Sequence, residues 1–360
     1  MPRSVQPSSP RPPRPPRASG ELALIDHIRT RASSIGRGGA LRLGIGDDCA
    51  ILAPPRGHEI VVTTDLSLER RHFRRDWHPA QSIGHRTLAR GLSDLAAMGA
   101  RPLAAFLSLA LPRSAADDAT WLDGFLDGLL SLAAVSKTPL AGGDTAESPS
   151  DHILADIVLL GSTPAGKALR RSGAKPGDRL FITGTLGGAA AELAGLATQR
   201  ENTGGDAAKN SSAARRKNAD SSIEHPHLYP QPRLAAGQAL LRRSLATACI
   251  DISDGLSTDL AHLCEASGVA AEIEAARLPI HPLARALGQP GTLAAALHGG
   301  EDYELLFTTS PDGFVPRTLA GVPVTCIGRI VRAGRGHPQI SLLEDGNSTP
   351  LEPRGWEHLR

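Results

Sequence analysis

Apolar positions recur along this chain with two periods, and carboxylates interrupt them at only a few places. From Pro79 onward, Ile83, Leu88, Leu92, Leu95, Ala96 and Met98 return at helical spacing, and Gly99 followed by Pro102 marks a stop, so the pattern predicts a helix there. Asp94 falls inside that helix beside its apolar stripe. A carboxylate in such company must be paired, hydrogen-bonded or metal-bound, because desolvating it alone costs several kcal/mol. The simplest partner is Arg90, one helical turn back, in a surface ion pair.

The same reading predicts a helix over Glu21–Ala32 and another over Asp117–Ser136, with Trp121, Leu122, Phe125, Leu126 and Leu129 on its core face. Ile60-Val61-Val62 reads as a buried strand ending in Thr63-Thr64-Asp65, where oxygen ligands gather. Further strands are expected over Ala104–Leu111, before Gly142-Gly143-Asp144-Thr145, over Ile153–Leu160, Arg179–Thr183, Ala248–Ile252 and Val322–Val331. After Arg179–Thr183, a glycine loop and an alanine-rich helix make either a tight turn or an anion cradle; no Gly-Lys-Ser/Thr follows, so it is not a P-loop. Helices are also expected over Arg233–Leu245 and from Ser253-Asp254-Gly255, which offers N-caps, to Ala266. Strands and helices alternate through both halves, which indicates an α/β protein.

Four stretches depart from this regularity. Residues 1–20 are rich in Pro and Arg and read as a disordered tail, and residues 197–224 read as a polar, disordered insertion. His225 and His227, flanked by prolines, are expected on a surface loop. Ser162–Gly166 is the expected boundary between domains 21–162 and 163–345, with 346–360 as a terminal segment.

Composition narrows the function. With 360 residues there is room for two cores, and a formal charge of +2 gives no overall attraction to nucleic acid or anionic lipid. Cys49, Cys249, Cys264 and Cys326 form no C-x-x-C pair and read as buried thiols of a reducing, cytoplasmic compartment. The apolar run Leu103–Leu111 is too short to span a bilayer.

Asp48, Asp65, Asp94, Asp144, Asp251 and Asp254 each lie at the end of an apolar strand or within an apolar helix. Converging carboxylates without matching Lys and Arg cannot all stay ionised unless cations bind between them. Aspartate and threonine oxygens without His or Cys select a hard cation such as Mg²⁺, which commonly accompanies phosphate. Two phosphate charges near 4 Å repel by about 4 kcal/mol at an effective dielectric near 20, a barrier that bridging metals remove. A phosphate acceptor is already anionic, so its kinase needs alignment and neutralisation rather than a general base. The chain carries no Ser/His/Asp or Cys/His constellation, in keeping with that chemistry.

At these residues the chain resembles the thiamine-monophosphate kinases, of the superfamily that includes aminoimidazole-ribonucleotide synthetase. The resemblance rests on collinear segments: Gly44-Ile45-Gly46-Asp47-Asp48, Thr64-Asp65 with His72-Phe73, Leu92–Ala100, Gly142–Thr145, Arg171–Asp178, His227–Arg233, Asp251–Gly255 and Gly299–Leu305. It implies a two-domain α/β (α+β) fold with mixed sheets flanked by helices, a site in the interdomain cleft, and a homodimer. It implies ATP-dependent phosphorylation of thiamine monophosphate with several Mg²⁺ ions, and no nucleic-acid or membrane partner. Carried over by position, Asp48, Thr63, Thr64, Asp65, Asp94, Asp144, Asp251 and Asp254 would hold metal. Gly143, Asp144, Arg171 and Ser253 would contact ATP, while His72, Glu301 and Trp356 would face the thiamine phosphate. The chain departs from the family pattern in Ala146-Glu147-Ser148 and in the basic pair Arg70-Arg71. Alternatives are another ATP-dependent enzyme of the superfamily, of the aminoimidazole-ribonucleotide synthetase type, or a catalytically silent nucleotide-binding regulator.

Overall fold

The computed structural model describes residues 20–33, 35, 39–203, 225–334 and 339–356. The expected tail, apart from Gly20, and residues 204–224 of the expected insertion lie outside these. In the first half the elements are α1 (Glu21–Ala32), β1 (Leu41–Leu43), β2 (Ile51–Leu52), β3 (His58–Leu68), α2 (Ala80–Ala97), β4 (Arg101–Leu111), α3 (Arg113–Ala116), α4 (Ala119–Ser136), β5 (Leu140–Glu147) and β6 (Leu154–Pro164). The second half contains β7 (Arg179–Thr183), α5 (Gly188–Thr203), α6 (Leu234–Arg242), β8 (Ala248–Asp251), α7 (Leu256–Ser267), β9 (Val269–Glu274), α8 (Pro282–Arg285) and α9 (Gly291–His298). It closes with β10 (Leu305–Thr309), β11 (Thr318–Leu319), β12 (Val322–Arg332), β13 (Ile340–Glu344) and β14 (Asn347–Pro350).

Each half builds its own sheet. The first has four strands in the order β3-β6-β4-β5, antiparallel except for the β4/β5 pair. The second has eight, along β14-β13-β9-β12-β7-β10-β8 with β11 beside β12, and only β13/β9 is parallel. Side chains alternate across a strand, so register decides which acids can meet. Asp65, Ile157, Leu107 and Gly143 form one row across the first sheet, on the face that buries Ile157 and Leu107. Leu66, Asp156, Ser108 and Asp144 form the next row, on the opposite face. That outer face is apolar and open: Ile60, Val62, Leu66 and Leu154 are all exposed, Val62 by 58%. The expected buried strand is therefore a half-exposed edge strand. It also runs on to Leu68, so Thr63 and Asp65 sit mid-strand rather than at its end.

Helix α2 joins the two halves. Leu88, Leu92 and Leu95 are fully buried in the first core, and Ala96 and Ala97 enter a cluster with Leu240, Leu305 and Phe307 of the second half. A helix buried nearly all round, as α2 is, belongs between two bodies rather than on a surface. Close approach to α4 requires glycine: a Cβ on Gly84 would stand 1.9 Å from the Phe125 carbonyl oxygen. Helix α5 extends to Thr203, so residues 197–203 continue the helix; their Ala, Gln, Arg and Glu content favours it.

Candidate active site

A cleft of about 500 Å³ opens where α2, the β3–α2 loop and the second sheet meet. Asp65, Asp94, Asp251 and Asp254 line it at buried or half-buried positions, contributed by β3, α2, the end of β8 and the loop that follows it. The exposed Arg70, Arg71 and Arg74 of the β3–α2 loop also line it, with Trp77 and Trp356. The cleft is thus acidic at its floor and cationic and aromatic at its rim.

The acids are crowded and partly neutralised by neighbours. Burial and the nearby Asp94 carboxylate push Asp65 up to about 6, against the pull of Arg90. Burial and Asp94 likewise raise Asp251 to about 7, opposed by its 2.6 Å hydrogen bond from the Ser93 hydroxyl. Burial raises Asp94, while a short hydrogen bond from the Thr63 hydroxyl and the charges of Arg171 and Arg90 oppose the rise. Arg90 does not serve as a simple surface partner for Asp94. It reaches Asp65 at 3.6 Å and Glu301 at 3.8 Å, bracing the two halves of the protein.

Behind the rim lies a buried relay. His72 Nδ1 accepts from the Leu68 N–H at 2.9 Å, so its neutral ring carries the proton on Nε2. Glu301 takes a 2.7 Å hydrogen bond from Arg86 and lies 3.1 Å from His227 Nδ1. Burial alone would raise the Glu301 carboxyl; Arg86 and His227 instead hold it well below the usual carboxylate range. His227 Nε2 meets His78 Nε2 at 2.9 Å, and His78 Nδ1 accepts from the Arg74 N–H at 3.2 Å. With the proton on His227 Nδ1 facing the carboxylate, His227 Nε2 accepts from His78 Nε2–H and His78 Nδ1 accepts from the Arg74 N–H; Arg86 Nη1 also lies 3.1 Å from His227 Nδ1, and the Arg74 carbonyl 3.1 Å from His78 Nδ1. Burial, followed by Arg86, keeps both rings neutral, with His78 lowered to about 3. His227 is thus buried inside the site, not displayed on the surface loop expected for it, because the segment turns inward to meet Arg86.

The segment around Glu301 serves the fold at alternate positions. Glu304 receives two hydrogen bonds from Arg233, at 2.7 and 2.5 Å, and one from Thr183. Asp302 accepts from the N–H groups of Gly187 and Ala189 at 2.6 and 3.2 Å, filling the amino end of α5. Of the two readings of that corner, the tight turn holds, and the donors an anion would use are occupied by the chain's own carboxylate. Ser253 and Asp254 do not cap α7; Gly255 holds that position, with no side-chain cap. Instead Asp259 Oδ2 accepts from the N–H groups of Ser253, Asp254 and Gly255 at 3.0–3.1 Å and fixes the loop from below.

Residues 46–163 match the family described as AIR synthase related protein, N-terminal domain, and residues 175–338 match its C-terminal domain. The chain belongs to the AIR synthase related family. This AIR synthase related chain is 41% identical over 350 residues to thiamine-monophosphate kinase of Escherichia coli K12, covering 95% of this chain and 99% of that one. The crystal structure of thiamine-monophosphate kinase from Stenotrophomonas maltophilia superposes with a TM-score of 0.72 at 37% identity, covering 91% and 96% of the two chains. AaThiL complexed with AMPPCP and TMP superposes with a TM-score of 0.68 at 28% identity, over 94% and 97%.

Of the residues expected at the site, this AIR synthase related fold brings Asp65, Asp94, Asp251, Ser253, Asp254, His72, Glu301 and Trp356 to one cleft. Thr63 adjoins it through Asp94, and Arg171 acts electrostatically on both Asp94 and Asp251. Thr64 and Asp144 face the other side of the first sheet. Asp144 is also three strands from Asp65, roughly 14 Å at about 4.8 Å per strand. Asp48 lies in the turn between β1 and β2, which packs by Gly44 against Ala141 at the start of β5, beside Gly143 and Asp144. The six aspartates thus fall into a cleft set of four and an outer pair. Cys49 is exposed and Cys326 half-buried, unlike the other two thiols.

Among the described residues no three His, Cys, Asp or Glu side chains are gathered into a ready-made metal cage. Mg²⁺ suits such a wall: it keeps several waters and binds through one or two carboxylates plus substrate phosphates. The donor set is all oxygen, and the raised Asp65 and Asp251 carboxyls are those a divalent cation would return to the ionised form.

Proposed function

We infer that this protein is a kinase that transfers phosphate from ATP to thiamine monophosphate, yielding thiamine diphosphate. The observation that carries the reading is the polarised cleft, four aspartates from both halves at its floor and a cationic, aromatic rim above. The relatives that share its length bear that activity in their names.

Asp65, Asp94, Asp251 and Asp254 would hold Mg²⁺, with Thr63 orienting Asp94 and Ser93 orienting Asp251. When bound, the ions supply charge neutralisation between the two phosphate groups. The protein's own part is alignment. Arg171 and Ser253 would contact ATP on the side of the fixed loop. His72, donating from Nε2, would hold a phosphate oxygen of the acceptor, with Glu301 locked by Arg86 and His227 beside it and the Trp356 ring at the mouth. The acceptor oxygen is anionic at neutral pH, so no side chain need take a proton from it.

Residues 21–162 would then serve as the metal- and ATP-binding and dimerisation domain, 163–345 as its α/β partner, and 346–360 as a contributor to the acceptor site. The open apolar face formed by Ile60, Val62, Leu66 and Leu154 is suited to a second copy of the chain in a homodimer. Thr64 and Asp144 from that side of the sheet, Asp48 from the turn beside it and Gly143 from the Asp65 row would join the ATP and metal site. Four free thiols suit a cytoplasmic setting, and no described helix is long and apolar enough to cross a membrane. Incubation with ATP, Mg²⁺ and thiamine monophosphate, followed by separation of the thiamine phosphates, tests the reading. Appearance of the diphosphate only when all three are present is expected; ATP consumption with no diphosphate formed would overturn it.

A further inference from the structure

The loop Ser253–Gly255 touches two of the three acceptor-facing residues, Glu301 and Trp356, through two successive carbonyl groups. The Ser253 carbonyl accepts from the Glu301 N–H at 2.7 Å, and the Asp254 carbonyl accepts from the Trp356 N–H at 3.0 Å. The two N–H groups preceding Trp356 are held as well. Arg354 donates to Ser257 Oγ at 3.3 Å and Gly355 donates to Thr258 Oγ1 at 3.0 Å, both in the first turn of α7. Three consecutive backbone donors therefore lie on the loop and helix that carry Ser253 and Asp254.

This contact depends on glycine at position 355. A Cβ there would stand 2.0 Å from the Asp254 carbonyl oxygen and 2.5 Å from Thr258 Oγ1, closer than real contacts allow, and the first of these atoms is backbone. The loop has little freedom to retreat, because Asp259 grips its three N–H groups and a Cβ on Gly300 would already lie 2.7 Å from the Ser253 carbonyl oxygen. Trp356 is 48% exposed at the cleft, and its main chain is held there by the clamp.

We propose that Gly355 and Thr258 are positioning residues that clamp Trp356 onto the Ser253–Gly255 loop, so that occupancy of the loop by Mg²⁺ and nucleotide raises affinity for the acceptor. The inference rests on the kinase reading above. Coupling arises because the loop and residues 354–356 are bonded into one unit that settles as a whole and has two ligand-facing sides: its side chains face nucleotide and metal, while its carbonyls carry the acceptor wall. Whatever orders one side orders the other, and by linkage the acceptor tightens nucleotide binding by the same factor.

The test uses the full chain with Gly355→Ala, Thr258→Val and Thr258→Ser. Thiamine monophosphate affinity is measured by calorimetry with and without a Mg²⁺-bound, non-hydrolysable ATP analogue, alongside steady-state KM and kcat. In the wild type the analogue is expected to tighten acceptor binding at least fivefold and to change the tryptophan emission that Trp356→Phe removes. Gly355→Ala and Thr258→Val should shrink that enhancement below twofold and raise KM for the acceptor at least fivefold, with kcat within threefold. Thr258→Ser, which keeps the acceptor oxygen, should behave as wild type. If Gly355→Ala does not fold, Thr258→Val reads the same contact. An unchanged enhancement in the clamp variants, in an enzyme that turns over, refutes the clamp alone. A wild type that forms no thiamine diphosphate refutes the kinase reading instead, and a missing Trp356 emission response to the analogue then refutes the clamp separately.

Discussion

Acidification should destabilise this protein through His78, and by an amount set by its burial. His78 is 4% exposed, between Arg74 on its own loop, Arg86 on α2 and His227, with Glu301 beyond; burial first, then Arg86 and His227, lowers it from 6.5 to about 3. Between those values the unfolded chain holds a proton there that the native state refuses, so stability is complete above pH 6.5 and falls as pH drops through the window. The slope for one such group is about 1.4 kcal/mol per pH unit, giving a loss of about 2 kcal/mol at pH 5 relative to pH 7.5. Asp65 and Asp251 have the opposite sign. Raised to about 6 and about 7, they bind protons in the native state before the unfolded chain does, so they favour the fold on acidification. Only a difference isolates the histidine: urea unfolding of wild type and His78→Gln at pH 7.5, 6 and 5. The wild type should lose about 2 kcal/mol more than the variant over that range. A stability gap independent of pH would show that His78 takes up its proton in the folded state and would refute the neutral relay.

Three further outcomes are expected. Asp94→Asn should cut turnover about a thousandfold or more, because the carboxylate would hold metal between the phosphates, yet leave the thermal midpoint unchanged or higher by relieving repulsion on Asp65 and Asp251; retained turnover in a steady-state assay would count against the metal assignment. Arg86→Met should cost about 3–5 kcal/mol in denaturant unfolding, since it leaves Glu301 and His227 buried without their cation; an unaltered midpoint would contradict the relay. Gly143→Ala should destabilise by about 3 kcal/mol or more, because φ there is +148° and a Cβ would fall 1.8 Å from the Leu107 carbonyl oxygen between β4 and β5; a melting curve matching wild type would exclude that clash.

What could be read from the chain was local. The periodicity that predicted α1 and β7 reproduces both bounds, and the Asp94 helix stands where its apolar spacing put it. Period-two alternation also separates Thr64 from Asp65. It cannot say which face of β5 carries Asp144, because that depends on the register of β4 with β5 and β6, set by pairing between distant segments. Arg90 shows the same limit: helical spacing offers Asp94, but the side chain goes to Asp65 and Glu301, on elements far away in sequence. His227 was unreadable because its burial depends on Arg86, 141 residues earlier. Asp259 carried a faint signal, an acid in the first turn of a helix, which capping preferences favour for its charge and which here grips the preceding loop.

The carboxylate of Asp302 at the amino end of α5 bears on inhibitor design. An anionic fragment aimed at the strand–glycine–helix corner would compete with a tethered group already holding the Gly187 and Ala189 N–H donors, an intramolecular rival whose effective concentration no dosing reaches. Chemists seeking potency would do better to place negative charge toward Arg70, Arg71 and Arg74, and to extend a flat ring system between Trp77 and Trp356.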